Sequence, residues 1–240
     1  MTLAEWQASL SELVIADADA APVAEAELSD PERAWLQHLP RTAGFKITRD
    51  VQRWWREFRV QTAAPLALSV LDVDRRAALV GEYVRRYPRP SSFVAREAMP
   101  FLDLAVELAS DVSHLAALAE FERAMLVLGD ALASGRPLLS SGQLRQADVV
   151  SVHPLAQVVC FEAPPEVVLG AASRGRPMPA ATDRAHWLLI APGLSNLARA
   201  CTDAEATLFL SVRAGPIAVE QVTASDALAT LWRDGALRRD

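Results

Sequence analysis

Cysteine is nearly absent from this 240-residue chain: Cys160 and Cys201 are the whole supply. Two thiols far apart in sequence exclude a disulfide-stapled scaffold and any Cys-rich zinc module. Both sit in apolar, strand-like surroundings and are expected to be buried free thiols; the alternative is a reactive thiol or a disulfide, and a cytoplasmic location disfavours the disulfide. The four histidines, His38, His114, His153 and His186, are equally sparse. None has a His, Cys or carboxylate partner at metal-ligand spacing; His153 and His186 meeting across strands would be too few for a closed site. Walker, G-x-G-x-x-G and G-x-S-x-G patterns are missing, which removes the common nucleotide sites and the serine-hydrolase elbow. Uncharged runs are short. The longest, Ala185 to Ala198, has 14 residues and is broken by Pro192 and Gly193, whereas a spanning helix needs about 20. A basic-then-apolar leader is also lacking, so the expected compartment is the cytoplasm.

Excess positive charge is missing too. The net charge is −6. Residues 1–45 hold eight acidic and two basic side chains, and the remainder balances at 22 of each. That distribution disfavours binding to nucleic acid through phosphate neutralisation.

What is present is apolar periodicity. Hydrophobic residues make up 51% of the chain, enough for a sizeable core. Leu3, Trp6, Leu10 and Leu13 form a helical stripe, followed by an acidic linker from Ala16 to Asp30. Ser29 or Asp30 caps a short helix carrying Trp35 and Leu36. Pro40 to Thr48 reads as a connector. Thr48 or Asp50 then caps a strong helix whose expected inward face is Val51, Trp54, Trp55 and Phe58. Pro65 kinks that helix or starts the next, and Asp74 caps a helix ended by Pro88 and Pro90. Ser91 or Ser92 starts another, and Asp111 or Ser113 caps the last helix of this half.

Ser134 to Gln146 is rich in Gly and Ser and predicts a boundary. Beyond it, VVSVHP, AQVVCFE and HWLLIAPG read as strands, with Leu197 to Cys201 as a possible fourth. Ile217 to Val222 reads as a short apolar helix. The fold expected is therefore α+β and mostly helical. A helical domain over 1–135, with an acidic segment at 1–45, precedes a small domain over 147–240 holding a short three- to four-stranded antiparallel sheet.

No convergent catalytic set stands out. Glu120 and Glu122 flank Phe121 and are expected to be solvated charges. Ser173-Arg174-Gly175-Arg176 reads as a flexible basic loop. Two features point to binding. Arg49, Arg53 and Arg56, with Arg59 nearby, form a row on one helix. It is either a solvated face paired with carboxylates such as Glu57 or a dock for an acidic partner surface. The short sheet has edges, and an open edge accepts an extended peptide as an added strand.

Several stretches carry a resemblance: REFRVQTAAPLALSVL (56–71), YVRRYPRPSS (83–92), LAEFERAMLVL (118–128), VHP (152–154) and DAEATLFLSVRAGPIAVEQV (203–222). In this order, over roughly residues 50 to 235, the chain resembles the MbnC-like accessory subunits of methanobactin-type peptide biosynthesis, within a wider HvfC-like group. The first 45 residues fall outside it. The resemblance implies a non-catalytic subunit that pairs with a TIM-barrel multi-iron oxidase. The heterodimer would hold a precursor's leader peptide and oxidise its cysteines to oxazolone and thioamide. Iron would reside in the partner, with no cofactor or metal in this chain. Under this reading the leader lies beside Ala156–Glu162 or His186–Pro192, through Val158, Val159, Cys160, Phe161, Trp187, Leu188, Leu189 and Ile190. The oxidase meets the arginine row Arg49, Arg53, Arg56 and Arg59. The competing reading is a winged-helix-like DNA-binding regulator using helix 203–213, but Arg213 is the sole basic residue of that helix.

Overall fold

The computed structural model describes residues 13–14, 29–87, 94–135 and 142–240, without the side chains of 94–96. The stripe Leu3, Trp6 and Leu10, most of the acidic linker, the Pro88–Ser92 corner and part of the Ser134–Gln146 boundary lie outside these residues. Nine α-helices and two three-stranded antiparallel sheets make a mostly helical α+β fold among the described residues.

The helical half comprises α1 (Asp30–His38), α2 (Ala43–Ala63), α3 (Pro65–Ser69), α4 (Val73–Arg86), α5 (Val94–Leu108) and α6 (Leu115–Ala133). Local chemistry sets the boundaries. Glu32 returns its carboxylate to the Ser29 amide at 2.9 Å, one arm of a capping box. Thr42, not Thr48, caps α2, accepting from the Phe45 amide at 3.3 Å. The supposed connector is therefore a 3-10 turn, Leu39–Arg41, followed by the first turn of α2. Pro65 starts a new helix, as its missing N–H allows at a first helical position. Asp72, rather than Asp74, caps α4.

The second half contains β1 (Val149–Val152), β2 (Gln157–Phe161), α7 (Pro165–Ser173), β3 (His186–Ile190), β4 (Ala198–Cys201), α8 (Asp203–Ala214), β5 (Ile217–Ala218), α9 (Ser225–Arg233) and β6 (Leu237–Arg239). The expected strands divide between two sheets, ordered β5-β1-β6 and β2-β3-β4. Ile217-Ala218, expected to be helical, is a strand that ends in a 3-10 turn. The loop over Ser173–Arg176 is largely a helix stop. Gly175 takes φ +59, and Arg176 N and Gly175 N donate to Ala171 O and Ala172 O. That is the Schellman pattern.

Sheet β2-β3-β4 is buried on both faces. Val159, Phe161, Leu188 and Ile190 pack with Leu118, Ala124 and Leu128 of α6 and Val168 of α7. Val158 and Leu189 pack the other way, with Phe209 and Val212 of α8 and Leu231 of α9. Helix α6 also gives Leu115 and Ala119 to a cluster with Val60, Leu68, Tyr83 and Phe101. The expected boundary near 135–147 breaks the sequence but not the packing, because α6 belongs to both cores.

The turn after β3 presses against the turn before β6. Gly193 N donates to Asp234 O at 3.0 Å. A Cβ at Gly193 would lie 2.6 Å from that carbonyl oxygen and 2.7 Å from its carbon. Backbone cannot retreat as a side-chain tip does. Gly193→Ala is therefore expected to cost about 1–3 kcal/mol, as overpacking does, read as a lowered midpoint in urea unfolding.

Candidate functional site

Ladder geometry shows which sheet edge is open. In an antiparallel pair, hydrogen-bonded and non-hydrogen-bonded residue pairs alternate. Ala191 N donates to Leu197 O at 3.0 Å. The bonded pairs continuing from it are Leu189 with Arg199 and Trp187 with Cys201. Ala198 and Ala200 therefore turn their backbone N–H and C=O groups away from β3, toward the outer edge of β4. On β2 the same alternation turns Val158 and Cys160 outward. That edge is closed at both ends: Ala156 N donates to His153 O at 2.9 Å, and Thr182 N to Glu162 O at 2.7 Å.

The β4 edge leads into a cleft of about 600 Å³, lined by Trp187, Ala200, Cys201, Glu166, Arg184 and the start of α8, among others. Arg199 braces this edge. Its guanidinium lies 2.7 Å from Glu205 Oε1 on α8 and 2.6 Å from Asp234 Oδ2 before β6, and it donates to Ala200 O at 2.9 Å. Burial pushes the Glu205 carboxyl up, but Arg199 and Thr202 outweigh it and hold the group below the usual range. Thr202 and Glu205 also form a capping box that fixes the start of α8.

Cys160, Trp187 and Cys201 stand in one cross-strand row. With strands about 4.8 Å apart, the two cysteines are about 10 Å from each other, beyond the reach of a disulfide. Cys160 is exposed, contrary to expectation, and Cys201 is half-buried. Burial pushes the Cys201 thiol up to about 12, so neither position offers a thiolate at neutral pH.

The structure redistributes the candidate residues. Strand β3 is central, so His186–Ile190 has no free edge. Val158, Val159, Phe161, Leu188, Leu189 and Ile190 are core side chains, while Cys160 and Trp187 are within reach of the surface. Strand β4, which supplies the open edge, was legible only as a possible fourth strand. His153 follows β1 and His186 opens β3, in different sheets.

The arginine row divides as well. Arg53 is exposed and pairs with Glu57 at 3.0 Å. Arg49 is half-buried. Arg56 is 6% exposed and faces Glu97 of α5, itself 2% exposed, at 3.5 Å; Arg59 reaches the same carboxylate at 3.3 Å. Arg56 also donates to Val84 O at 3.3 Å and to Tyr87 O, carbonyls that the end of α4 leaves without helical partners. The Tyr83 hydroxyl donates to Glu97 O at 2.9 Å, and burial pushes that phenol up to about 12. Arg56 and Arg59 thus join α2, α4 and α5. The face expected to be inward, Val51, Trp54, Trp55 and Phe58, is on the surface.

Sequence reading also missed the burial of His114 and Glu122. His114 begins α6 in the left-handed region, at φ 66. Its Nε2 lies 2.9 Å from Pro179 O, and its amide donates to Glu162 Oε2 at 3.0 Å. Because Pro179 O only accepts, Nε2 carries the proton. Glu122, expected in water, is 5% exposed. It accepts from Leu66 N at 2.6 Å and Ala67 N at 3.0 Å, and burial pushes its carboxyl up to about 7. Ala64, which precedes α3, has no side chain able to cap it; Glu122 serves as that cap from 55 residues away.

No model of a known protein family matches this sequence, and no curated protein is significantly similar to it. Among the described residues, no group of three or more His, Cys, Asp or Glu is placed to hold a metal ion, and no helix is long and apolar enough to cross a membrane.

Proposed function

We propose that this chain is a non-catalytic accessory subunit of an iron-dependent TIM-barrel oxidase and holds the leader of a precursor peptide in methanobactin-type biosynthesis. The supporting observation is the outer edge of β4. It presents the Ala198 backbone groups and the Ala200 N–H beside a cleft of about 600 Å³, with the Ala200 carbonyl already accepting from Arg199, a form suited to strand addition, in which main-chain bonds give affinity and pockets give selectivity. The bracing of Arg199 by Glu205 and Asp234 keeps that edge extended without a fourth strand. Oxidation of the precursor's cysteines, and the iron it uses, belong to the partner; this chain supplies grip and register.

The test has two stages. Co-expression with an adjacent TIM-barrel gene is expected to yield a one-to-one complex with iron on the partner. A lone species that ignores the neighbour would overturn the assignment. Within the complex, Ala200→Pro removes one outward N–H while the β3–β4 bonds remain, since proline is tolerated at edge positions whose N–H faces solvent. The variant is expected to weaken leader binding at least about tenfold, measured by calorimetry, with circular dichroism unchanged. Unaltered affinity would remove β4 as the docking strand.

A further inference from the structure

The usable edge of β4 is shorter than the strand. Ala198 and Ala200 turn their backbone groups outward, because Arg199 and Cys201 bond to β3. The Ala200 carbonyl accepts from Arg199 Nη1 at 2.9 Å. Thr202 is next in the alternation, and its amide donates to Glu205 Oε2 at 2.7 Å. At the other end Leu197 takes φ 62, a left-handed conformation through which an extended strand does not continue. Three outward groups remain between these limits: the Ala198 N–H, the Ala198 C=O and the Ala200 N–H. Only one of them is an acceptor.

Arg199 is locked in place at that edge. Its Nε donates to Asp234 Oδ2 at 2.8 Å, and its Nη1 reaches Glu205 Oε2 at 3.2 Å as well as Ala200 O. Its Nη2 donates to Glu205 Oε1 at 2.7 Å and lies 2.6 Å from Asp234 Oδ2. A guanidinium has five N–H donors in one plane, and all five are engaged. Rotating it away from Ala200 would also break its contacts with the two carboxylates, whose side chains are only 8% and 10% exposed. Water is a poor substitute there, so the Ala200 carbonyl stays occupied when a peptide arrives.

We infer that Arg199 is a positioning residue that sets the register of the bound leader by closing the β4 edge at Ala200. An added strand of either direction then donates a single backbone N–H to this sheet, to Ala198 O, and accepts from the Ala198 and Ala200 amides. A slip of two residues keeps the same side chains facing the sheet but meets the engaged carbonyl at one end or the Leu197 turn at the other, and loses bonds. Past Ala200 the peptide has no ladder to follow. It leaves the sheet at the cleft beside Cys201, Thr202 and Asp203, where side chains do the selecting. The inference rests on the leader-binding reading and adds what fixes the alignment.

An amide-to-ester scan of the leader tests it. Synthetic copies of the leader from the short cysteine-bearing reading frame beside the gene are titrated calorimetrically into the complex with the oxidase. Each ester removes one peptide N–H. One position is expected to lose about tenfold in affinity and the others no more than about threefold, since one backbone donor meets the sheet. Arg199→Lys keeps a positive charge between Glu205 and Asp234 but lacks the flat fork that reaches Ala200 O. In that variant a second sensitive position is expected, two residues from the first, where a peptide N–H meets the freed carbonyl. Two sensitive positions in the unaltered protein overturn the inference and leave the β4 reading standing. An Arg199→Lys chain that binds the leader and still shows one sensitive position overturns it as well. A scan with no sensitive position removes β4 as the docking strand, and the register with it. The first scan needs no variant, so it decides the matter even where Arg199→Lys fails to fold.

Discussion

Glu97→Ala is expected to lower the unfolding free energy by about 3–5 kcal/mol, the range found when one partner of a buried ion pair is removed. The cost comes from what remains. Arg56 stays buried, its charge offset by the carbonyls of Val84 and Tyr87 and the face of the Tyr83 ring, and Arg59 loses the same carboxylate. The three helices joined there, α2, α4 and α5, hold Val60, Tyr83 and Phe101 in one core, so the loss appears as global unfolding in urea rather than local fraying. A double replacement, Arg56→Met with Glu97→Leu, is expected to recover most of the stability, because apolar groups of similar volume often match a buried pair. If Glu97→Ala costs less than 1 kcal/mol, on the scale of an exposed ion pair, the network does not hold these helices together.

The second large effect is in pH. The Glu122 carboxyl, ordinarily near 4.5, is pushed up to about 7 by burial, against the pull of the Ala67 and Leu66 amides. The folded state therefore binds a proton more tightly than the unfolded chain. Stability from this group is fully present below pH 4.5 and is lost as pH rises through 7. Over that window the change is about 3 kcal/mol, at 1.36 kcal/mol per pH unit. Unfolding free energies measured at pH 5 and pH 8 are expected to show this fall, and Glu122→Gln is expected to flatten it. The slope is the diagnostic, since the amide leaves one of the two α3 donors facing an NH₂ and shifts absolute stability as well. An identical slope in Glu122→Gln would assign the pH dependence to other groups.

Helix positions were legible because apolar residues recur at helical spacing and Ser, Thr and Asp precede several starts. The orientation of α2 was not. Its sequence carries two apolar faces, and periodicity does not say which one packs. Bulk favoured the tryptophans, but the inward face is the one bearing Arg56, whose donors meet carbonyls at the end of a helix distant in sequence. Glu122 was misread for a related reason: its partners are two amides of a helix that lacks its own cap. A proline-started helix after Ala64 was a usable signal, since a start without a side-chain acceptor has donors to satisfy. Strand β6 was invisible because LRR reads as a charged tail; only Leu237 of the three is buried. The resemblance named a class of partner, while the open edge at β4 emerged only from the register of its ladder with β3.

Helix α6 has a practical consequence for anyone wishing to divide the molecule. The Gly- and Ser-rich stretch after Ala133 invites a cut there, yet a fragment ending at that point would bring Leu118 and Leu128 into water, and one beginning at Gly142 would expose Val159 and Phe161. Each piece would carry half of a shared interior as a sticky surface. The chain is one inheritance unit for expression and crystallisation, however clearly its composition changes midway.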